Sequence, residues 1–190
     1  PLRAWVIGCG TGEEAYALAV LCQEALDAHP APPALRIFAS DVDREALGRA
    51  RRGAYCATAL ATLSAEQIER FFVPEFSGYS AGPGLRDGVY FARHDVLVDP
   101  PFARLDLIMC RNLMPQLKVS ARDQLYELFA LALLPHGCLL LGPQDEMPRA
   151  DLFRPLDARL RLFQRREAPL RKRLGEGHRH KHKPQSLDYA

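Results

Sequence analysis

Arg3-Ala4-Trp5-Val6-Ile7-Gly8-Cys9-Gly10-Thr11-Gly12-Glu13-Glu14 is the stretch that decides the fold. Arg3 to Ile7 is a short, largely apolar run and reads as a buried strand. Three closely spaced glycines then turn the chain, and a helix is predicted from about Gly12 to His29. Its apolar positions Leu18, Leu21, Cys22, Ala25 and Leu26 recur at helical spacing. Strand, glycine turn and helix are how an open α/β sheet holds a nucleotide-like ligand. The glycine spacing here is G-x-G-x-G rather than the G-x-G-x-x-G of dinucleotide sites. A helix N-terminus normally attracts anions. Glu13 and Glu14 fill that positive end with fixed negative charge. They would repel a pyrophosphate and suit a ligand that carries positive charge. S-adenosylmethionine, with its sulfonium and ammonium groups, has that character, and an NAD-linked reductase is disfavoured on the same grounds.

Working outward, Pro30-Ala31-Pro32-Pro33 stops the first helix, and Leu35 to Ser40 reads as the second strand. Asp43 is placed to cap a helix from Glu45 to Arg52, which Gly53 then breaks. Ser64-Ala65-Glu66-Gln67 matches a capping box and opens a helix ending near Phe72. Val73 to Arg93 is rich in Gly and Pro and predicts a loop and small hairpin followed by a strand through Val89 and Phe91. Leu105 to Cys110 is a further buried strand, and Ser120 to Leu134 a helix. Pro135-His136-Gly137 turns into a strand from Cys138 to Leu141, and Arg159 to Arg165 reads as a last edge strand. Alternating strands and helices predict an α/β fold, a doubly wound parallel sheet with helices on both faces.

The 190 residues are enough for one domain with a sizeable core. The net charge of +2 is unevenly placed. From Arg165 onward there are eight Lys or Arg and three Asp or Glu, so a tail of +5 follows a body of −3. The division expected is a ligand-binding domain over residues 1–166 and a basic, disordered tail over 167–190. The tail is read as a solvated end rather than a nucleic-acid or lipid contact. Its His178-Arg179-His180-Lys181-His182 run lacks the closed spacing of a zinc site. Cys9, Cys22, Cys56, Cys110 and Cys138 include no C-x-x-C pair and suggest reduced thiols of a cytoplasmic protein. No apolar stretch reaches membrane-spanning length, and no signal peptide is evident. A chain that opens on Pro1, one residue before its first strand, is expected to be part of a longer protein.

The candidate ligand residues lie at predicted strand ends. Asp41 follows the second strand, where an acidic side chain reaches the ribose hydroxyls of an adenosine. The alternative is a second helix cap beside Asp43. The ribose reading is preferred because the glycine turn and this aspartate occur in the right order. Asp95, preceded by His94, stands where it could hold an adenine amino group or simply make a turn before Asp99-Pro100-Pro101. Cys110-Arg111-Asn112 ends a strand that points at the ligand crevice. Arg111 could grip a substrate carboxylate in a bidentate fork, or pair with Glu13 or Glu14. Cys110 reads as a packed thiol, since nothing near it in sequence would activate it. There is no Ser-His-Asp order, no P-loop and no metal-ligand spacing.

Three segments together carry a resemblance. They are Gly8 to Tyr16, then Phe38-Ala39-Ser40-Asp41-Val42-Asp43, then Leu105-Asp106-Leu107-Ile108-Met109-Cys110-Arg111-Asn112-Leu113. They resemble the CheR family, chemotaxis-type protein-glutamate O-methyltransferases that use S-adenosylmethionine. Leu152 to Asp157 and Arg161-Leu162-Phe163 resemble the version fused to CheB methylesterase and PAS modules. The resemblance spans residues 2 to about 166. It implies a Rossmann-like class I methyltransferase sheet with a reduced β insertion around Gly78 to Val89. It implies cofactor contacts at Gly8, Gly10, Thr11, Glu13, Asp41, Asp95, Val96 and Asn112. It also implies a catalytic, substrate-side role for Arg111. The cofactor implied is S-adenosylmethionine, with S-adenosylhomocysteine as product. The partners implied are a chemoreceptor or other signalling protein and neighbouring domains, with no nucleic acid and no membrane insertion.

The chain departs from the family pattern at three places. Gln116 stands where a tyrosine would border the methyl group, Asp95 replaces the usual Asn, and Gly142-Pro143-Gln144-Asp145 replaces Gly-Pro-Ser-Glu. The family's helical N-terminal domain and its Thr-x-Phe-Phe-Arg segment are not among these 190 residues. A glutamate with a pKa of about 4.3 is already ionised at neutral pH, so methyl transfer to it needs no general base. Catalysis then rests on alignment, and a misplacement of about 1 Å can cost on the order of 100-fold. A second reading follows, in which the chain is a degenerate, inactive module that binds S-adenosylmethionine or S-adenosylhomocysteine and signals to its neighbours.

Overall fold

The structure, a computed structural model, describes residues 1–167. The basic tail expected from residue 167 lies outside it, apart from Glu167, whose carboxylate sits 2.9 Å from His136 Nε2. The chain starts with β1 (Leu2–Ile7), α1 (Glu13–Asp27), β2 (Leu35–Asp41), α2 (Arg44–Arg52) and β3 (Ala54–Tyr55). It continues with α3 (Ala65–Phe71), β4 (Phe72–Glu75), β5 (Gly78–Ala81), α4 (Pro83–Arg86) and β6 (Val89–Arg93). The last elements are β7 (Leu105–Cys110), α5 (Val119–Ala132), β8 (Leu133–Leu141), β9 (Phe153–Asp157) and β10 (Leu162–Arg165). Among the described residues seven strands form the central sheet, in the order β6-β2-β1-β7-β8-β10-β9. The first five are parallel, β10 pairs antiparallel with β8, and β9 pairs antiparallel with β10. The chain steps from β1 through β2 to β6, then returns to the other side of β1 for β7 and β8. That reversal makes a switch point at the carboxyl ends of β1 and β7, the place where doubly wound sheets bind ligands.

Period-2 alternation in β1 splits the core. Ala4 and Val6 face Ala15, Tyr16 and Ala19 of α1 with Leu47 of α2. Trp5 and Ile7 face the opposite layer, with Leu125, Phe129 and Ala132 of α5. The sheet is therefore covered on both faces, as a parallel sheet requires. Trp5 is fully buried, and its indole Nε1 donates to Ser40 Oγ at 2.8 Å, which satisfies both polar atoms.

Local capping signals are realised as expected. The Asp43 carboxylate accepts from the backbone N–H of Glu45 and Ala46, and Gly53 ends α2 in the left-handed region. Ser64 and Gln67 close a full capping box on α3. Two expectations need correction. The hairpin is β4 with β5, further back than Gly78 to Val89, and β3 joins it to make a three-stranded antiparallel sheet in the order β3-β5-β4. The last strand, β10, is not an edge. It lies between β8 and β9, and β9 is the edge. An edge position suits β9, because Pro155 lacks the N–H that an inner strand must supply.

The small sheet is tied to the glycine turn. Tyr55 Oη donates to the carbonyl of Thr11 at 2.8 Å. Gly12 sits beneath that contact at φ +94, and a β-carbon there would lie 2.8 Å from Tyr55 Oη and 2.9 Å from Ala50 Cβ. Strain and overpacking act together, so Gly12→Ala is expected to cost about 2 kcal/mol of stability. Chemical denaturation checks this, and an unchanged midpoint would show that the turn relaxes freely.

Candidate functional site

The carboxyl ends of β1, β2, β6 and β7 open into a crevice of about 370 Å³. Small-molecule sites run from ~300 to 1,000 Å³. Its walls include Gly8, Asp41, Asp95, Val96, Arg111 and Asn112 from the sequence-predicted set, joined by Glu14, His94 and Gln116. Gly10, Thr11 and Glu13 are not among its lining residues. Gly8 has φ +68, and no atom lies within 4 Å of the place a β-carbon would take. A ligand can therefore approach this backbone closely.

Asp41 ends β2 with both carboxylate oxygens engaged. Oδ2 accepts from Gly10 N–H at 2.8 Å and Oδ1 from Asp43 N–H at 2.9 Å. Gly10 thus enters the site by holding Asp41. An ionised carboxylate has about four lone-pair sites, so each oxygen keeps capacity for a ligand hydroxyl. Asp95 makes the turn that was one of its two readings. Its Oδ1 accepts from Leu97 N–H at 3.0 Å and its backbone carbonyl from Val98 and Asp99, yet it also lines the crevice. The His94 ring stacks on Phe102 with centroids 5.2 Å apart, meets Trp5 edge-on, and gives Nε2 to the Pro100 carbonyl.

The two glutamates of the first turn of α1 diverge, because successive helical residues point about 100° apart. Glu13 turns aside, with its carboxylate accepting from Thr11 Oγ1. Glu14 faces the crevice and accepts from Arg111 Nη1 at 2.6 Å. Arg111 therefore takes the partner that was one of its two sequence readings. The same pair also lines a second, larger groove of about 620 Å³ beside α1, whose walls include Leu18, Leu21, Leu60 and Leu63. The ion pair stands between the two spaces. Gln116 Nε2 donates to the Asn112 carbonyl at 2.8 Å.

The crevice offers three carboxylates, from Glu14, Asp41 and Asp95, against the one guanidinium of Arg111. That balance of charge fits a cationic sulfur nucleoside better than a phosphate-bearing one. Among the described residues no cluster of His, Cys, Asp and Glu could hold a metal ion. No described helix is long and apolar enough to cross a membrane.

The cysteines differ in burial and in thiol acidity. All five are free. Cys110 is wholly buried, and burial with the nearby Asp145 and Glu14 charges pushes its thiol up. Burial also pushes Cys9 up to about 12. Cys56 differs: it is exposed, and the hydrogen bond with Thr58 Oγ1 at 3.0 Å holds its thiol below the ordinary value. A lowered thiol pKa raises the thiolate fraction at a given pH. In the folded protein at pH 8, iodoacetamide is expected to label Cys56 first, with its half-rise below an ordinary thiol's value of about 8.5. Cys9 and Cys110 become labelled only on unfolding. Peptide mass mapping checks the order, and early labelling of Cys9 would contradict its burial.

Asp145, which the sequence marks only as a departure from Gly-Pro-Ser-Glu, has a structural task that the sequence does not assign. It is 3% exposed and accepts from three backbone N–H groups of the loops behind the crevice. The partners Asn112 and Asp145 are 33 residues apart, so no local pattern announces the contact.

Comparison with known proteins agrees with this geometry. The family model for the CheR methyltransferase, SAM binding domain, matches residues 1–161. A chemotaxis protein methyltransferase of Listeria monocytogenes is 31% identical over 146 residues, which is 77% of this chain and 54% of that protein. The Escherichia coli chemotaxis protein methyltransferase is 30% identical over 156 residues, 75% of this chain and 51% of that protein. An uncharacterized 104.1 kDa protein of Rhodobacter capsulatus is 38% identical over 164 residues, 86% of this chain and 17% of that protein. The chain thus spans about half the length of the chemotaxis methyltransferases it matches. A glycine turn, an aspartate at the end of β2 and an Arg-Asn strand end on a doubly wound sheet accompany a family match over residues 1–161, and the chain belongs to the CheR family as an S-adenosylmethionine-binding methyltransferase domain.

Proposed function

We propose that this chain is the cofactor-binding and catalytic part of a protein-glutamate O-methyltransferase acting on a chemoreceptor or related signalling protein in the cytoplasm. The observation that carries the reading is the crevice at the β1/β7 switch point, with Asp41 on one wall and Arg111 and Asn112 on the other. When bound, S-adenosylmethionine supplies an electrophilic methyl group. The chain's own work is to hold and orient. Asp41 receives the ribose hydroxyls, Gly8 lets the ligand lie against the backbone, and Asp95, Val96 and Asn112 fix its two ends. Arg111 has donors beyond the one given to Glu14, and these orient the acceptor carboxylate. An acceptor glutamate is already ionised at neutral pH and needs no base. The Rhodobacter capsulatus relative holds its matching segment within a 104.1 kDa chain, which supports neighbouring domains as partners.

The regulatory reading keeps one specific observation in its favour. Arg111 is held by Glu14, and Gln116, in place of a tyrosine, is held by the Asn112 carbonyl. One experiment separates the two readings. Calorimetry with S-adenosylmethionine and S-adenosylhomocysteine is combined with transfer of radiolabelled methyl to chemoreceptor glutamates. The enzyme reading expects binding and a base-labile label. Binding without label selects the regulatory module, and no binding of either compound rejects both.

A further inference from the structure

Two polar side chains among the described residues are buried, Ser40 and Asp145. Trp5 accounts for Ser40. Asp145 does not line the crevice, and methyl transfer gives it no direct task. A buried carboxylate is kept only where its desolvation is compensated. Here the compensation is three backbone donors. Oδ2 accepts from Gly142 N–H at 2.6 Å and from Asn112 N–H at 3.0 Å, and Oδ1 from Met114 N–H at 3.1 Å. The backbone carbonyl of Asp145 in turn accepts from the Arg161 guanidinium. The carboxylate therefore binds the loop after β7 to the turn after β8.

The loop after β7 is the one that carries Arg111 and Asn112 into the crevice. Asn112 stands at φ +60, a left-handed conformation that asparagine tolerates better than most residues but less freely than glycine, so that its contacts help to hold it. Resting on the reading of the crevice as the cofactor site, we propose that Asp145 is a positioning residue. Its carboxylate locks the left-handed turn at Asn112 and so aims Asn112 and Arg111 into the crevice. Close packing leaves the clamp no slack: a β-carbon on Gly142 would lie 2.7 Å from Asp145 Oδ2 and 3.0 Å from Asn112 N.

The test is a double-mutant cycle on S-adenosylmethionine binding, read by calorimetry. Asp145→Asn is expected to raise the dissociation constant about tenfold, as the loss of charge-assisted hydrogen bonds at a rigid loop implies. Glycine adopts positive φ without help, so Asn112→Gly removes the need for the clamp along with the Asn side chain. In that background Asp145→Asn is expected to add less than twofold. A merely structural role would instead make the two losses multiply. Equal losses in both backgrounds, or an unchanged dissociation constant in a folded Asp145→Asn protein, overturn the proposal. Should Asp145→Asn fail to fold, Gly142→Ala presses on the same carboxylate and is expected to weaken binding in the same direction; full affinity there overturns the proposal. Amide hydrogen exchange reads the clamp independently of any ligand. Faster exchange confined to Asn112, Met114 and Gly142 supports it, and unchanged exchange at all three overturns it. A wild-type protein that ignores S-adenosylmethionine overturns the cofactor reading alone, and the exchange experiment still decides the clamp.

Discussion

Replacing Asp41 with alanine is expected to raise the dissociation constant for S-adenosylmethionine roughly 100-fold, about 3 kcal/mol. Two losses combine. The first is direct: each oxygen keeps a lone-pair site for one ribose hydroxyl, and hydrogen bonds to a charged acceptor contribute about 1.5–3 kcal/mol. The second is indirect. Oδ2 holds Gly10 N–H at 2.8 Å, so the glycine turn that forms one crevice wall loses its anchor. Asp41→Asn keeps one acceptor oxygen and is expected to lie between wild type and alanine, at roughly tenfold. Calorimetry on proteins with matched melting behaviour checks the series. A dissociation constant within threefold of wild type for the alanine protein removes Asp41 from the ribose.

What the sequence made legible was what local rules write. The β1 turn, the Asp43 cap and the Ser64–Gln67 box depend on residues within a few positions of one another, and each formed. Strand order at the far edge depends on pairing across the sheet, which no local pattern encodes, so the sequence carries no sign of β9 and puts β10 at the edge. β9 also hides its signal: Phe153 is buried, but the next four residues are exposed. β3, at two residues, is too short for any periodicity. The crevice was legible as a set of strand ends in the right order. Which glutamate faces it was not, because Glu13 and Glu14 look alike in sequence and differ only in helical phase. Arg111 and Glu14 lie 97 residues apart, and the fold alone decides between the carboxylates open to that guanidinium.

For Arg111→Ala the expected result is a fall in methyl-transfer kcat of at least about 100-fold, near 2.7 kcal/mol, with affinity for S-adenosylmethionine changed less than about threefold. The asymmetry follows from where the side chain stands. Arg111 shares its crevice wall with Asn112 but also lines the larger groove beside α1, which on the proposed function is the acceptor's approach to the site. One donor is spent on Glu14, and a guanidinium has five, enough to grip a second carboxylate in a fork. Without it the acceptor carboxylate is free to drift, and alignment is the whole of catalysis when the nucleophile is already ionised. Binding changes less because the Arg111 and Glu14 side chains are 36% and 35% exposed, and water replaces much of a half-exposed pair. Arg111→Lys is expected to recover little, since an ammonium lacks the planar fork. Initial rates of base-labile labelling at saturating S-adenosylmethionine, set beside calorimetry, check the split. Affinity lost with turnover retained would move Arg111 to the cofactor and leave the acceptor carboxylate without a partner in this crevice.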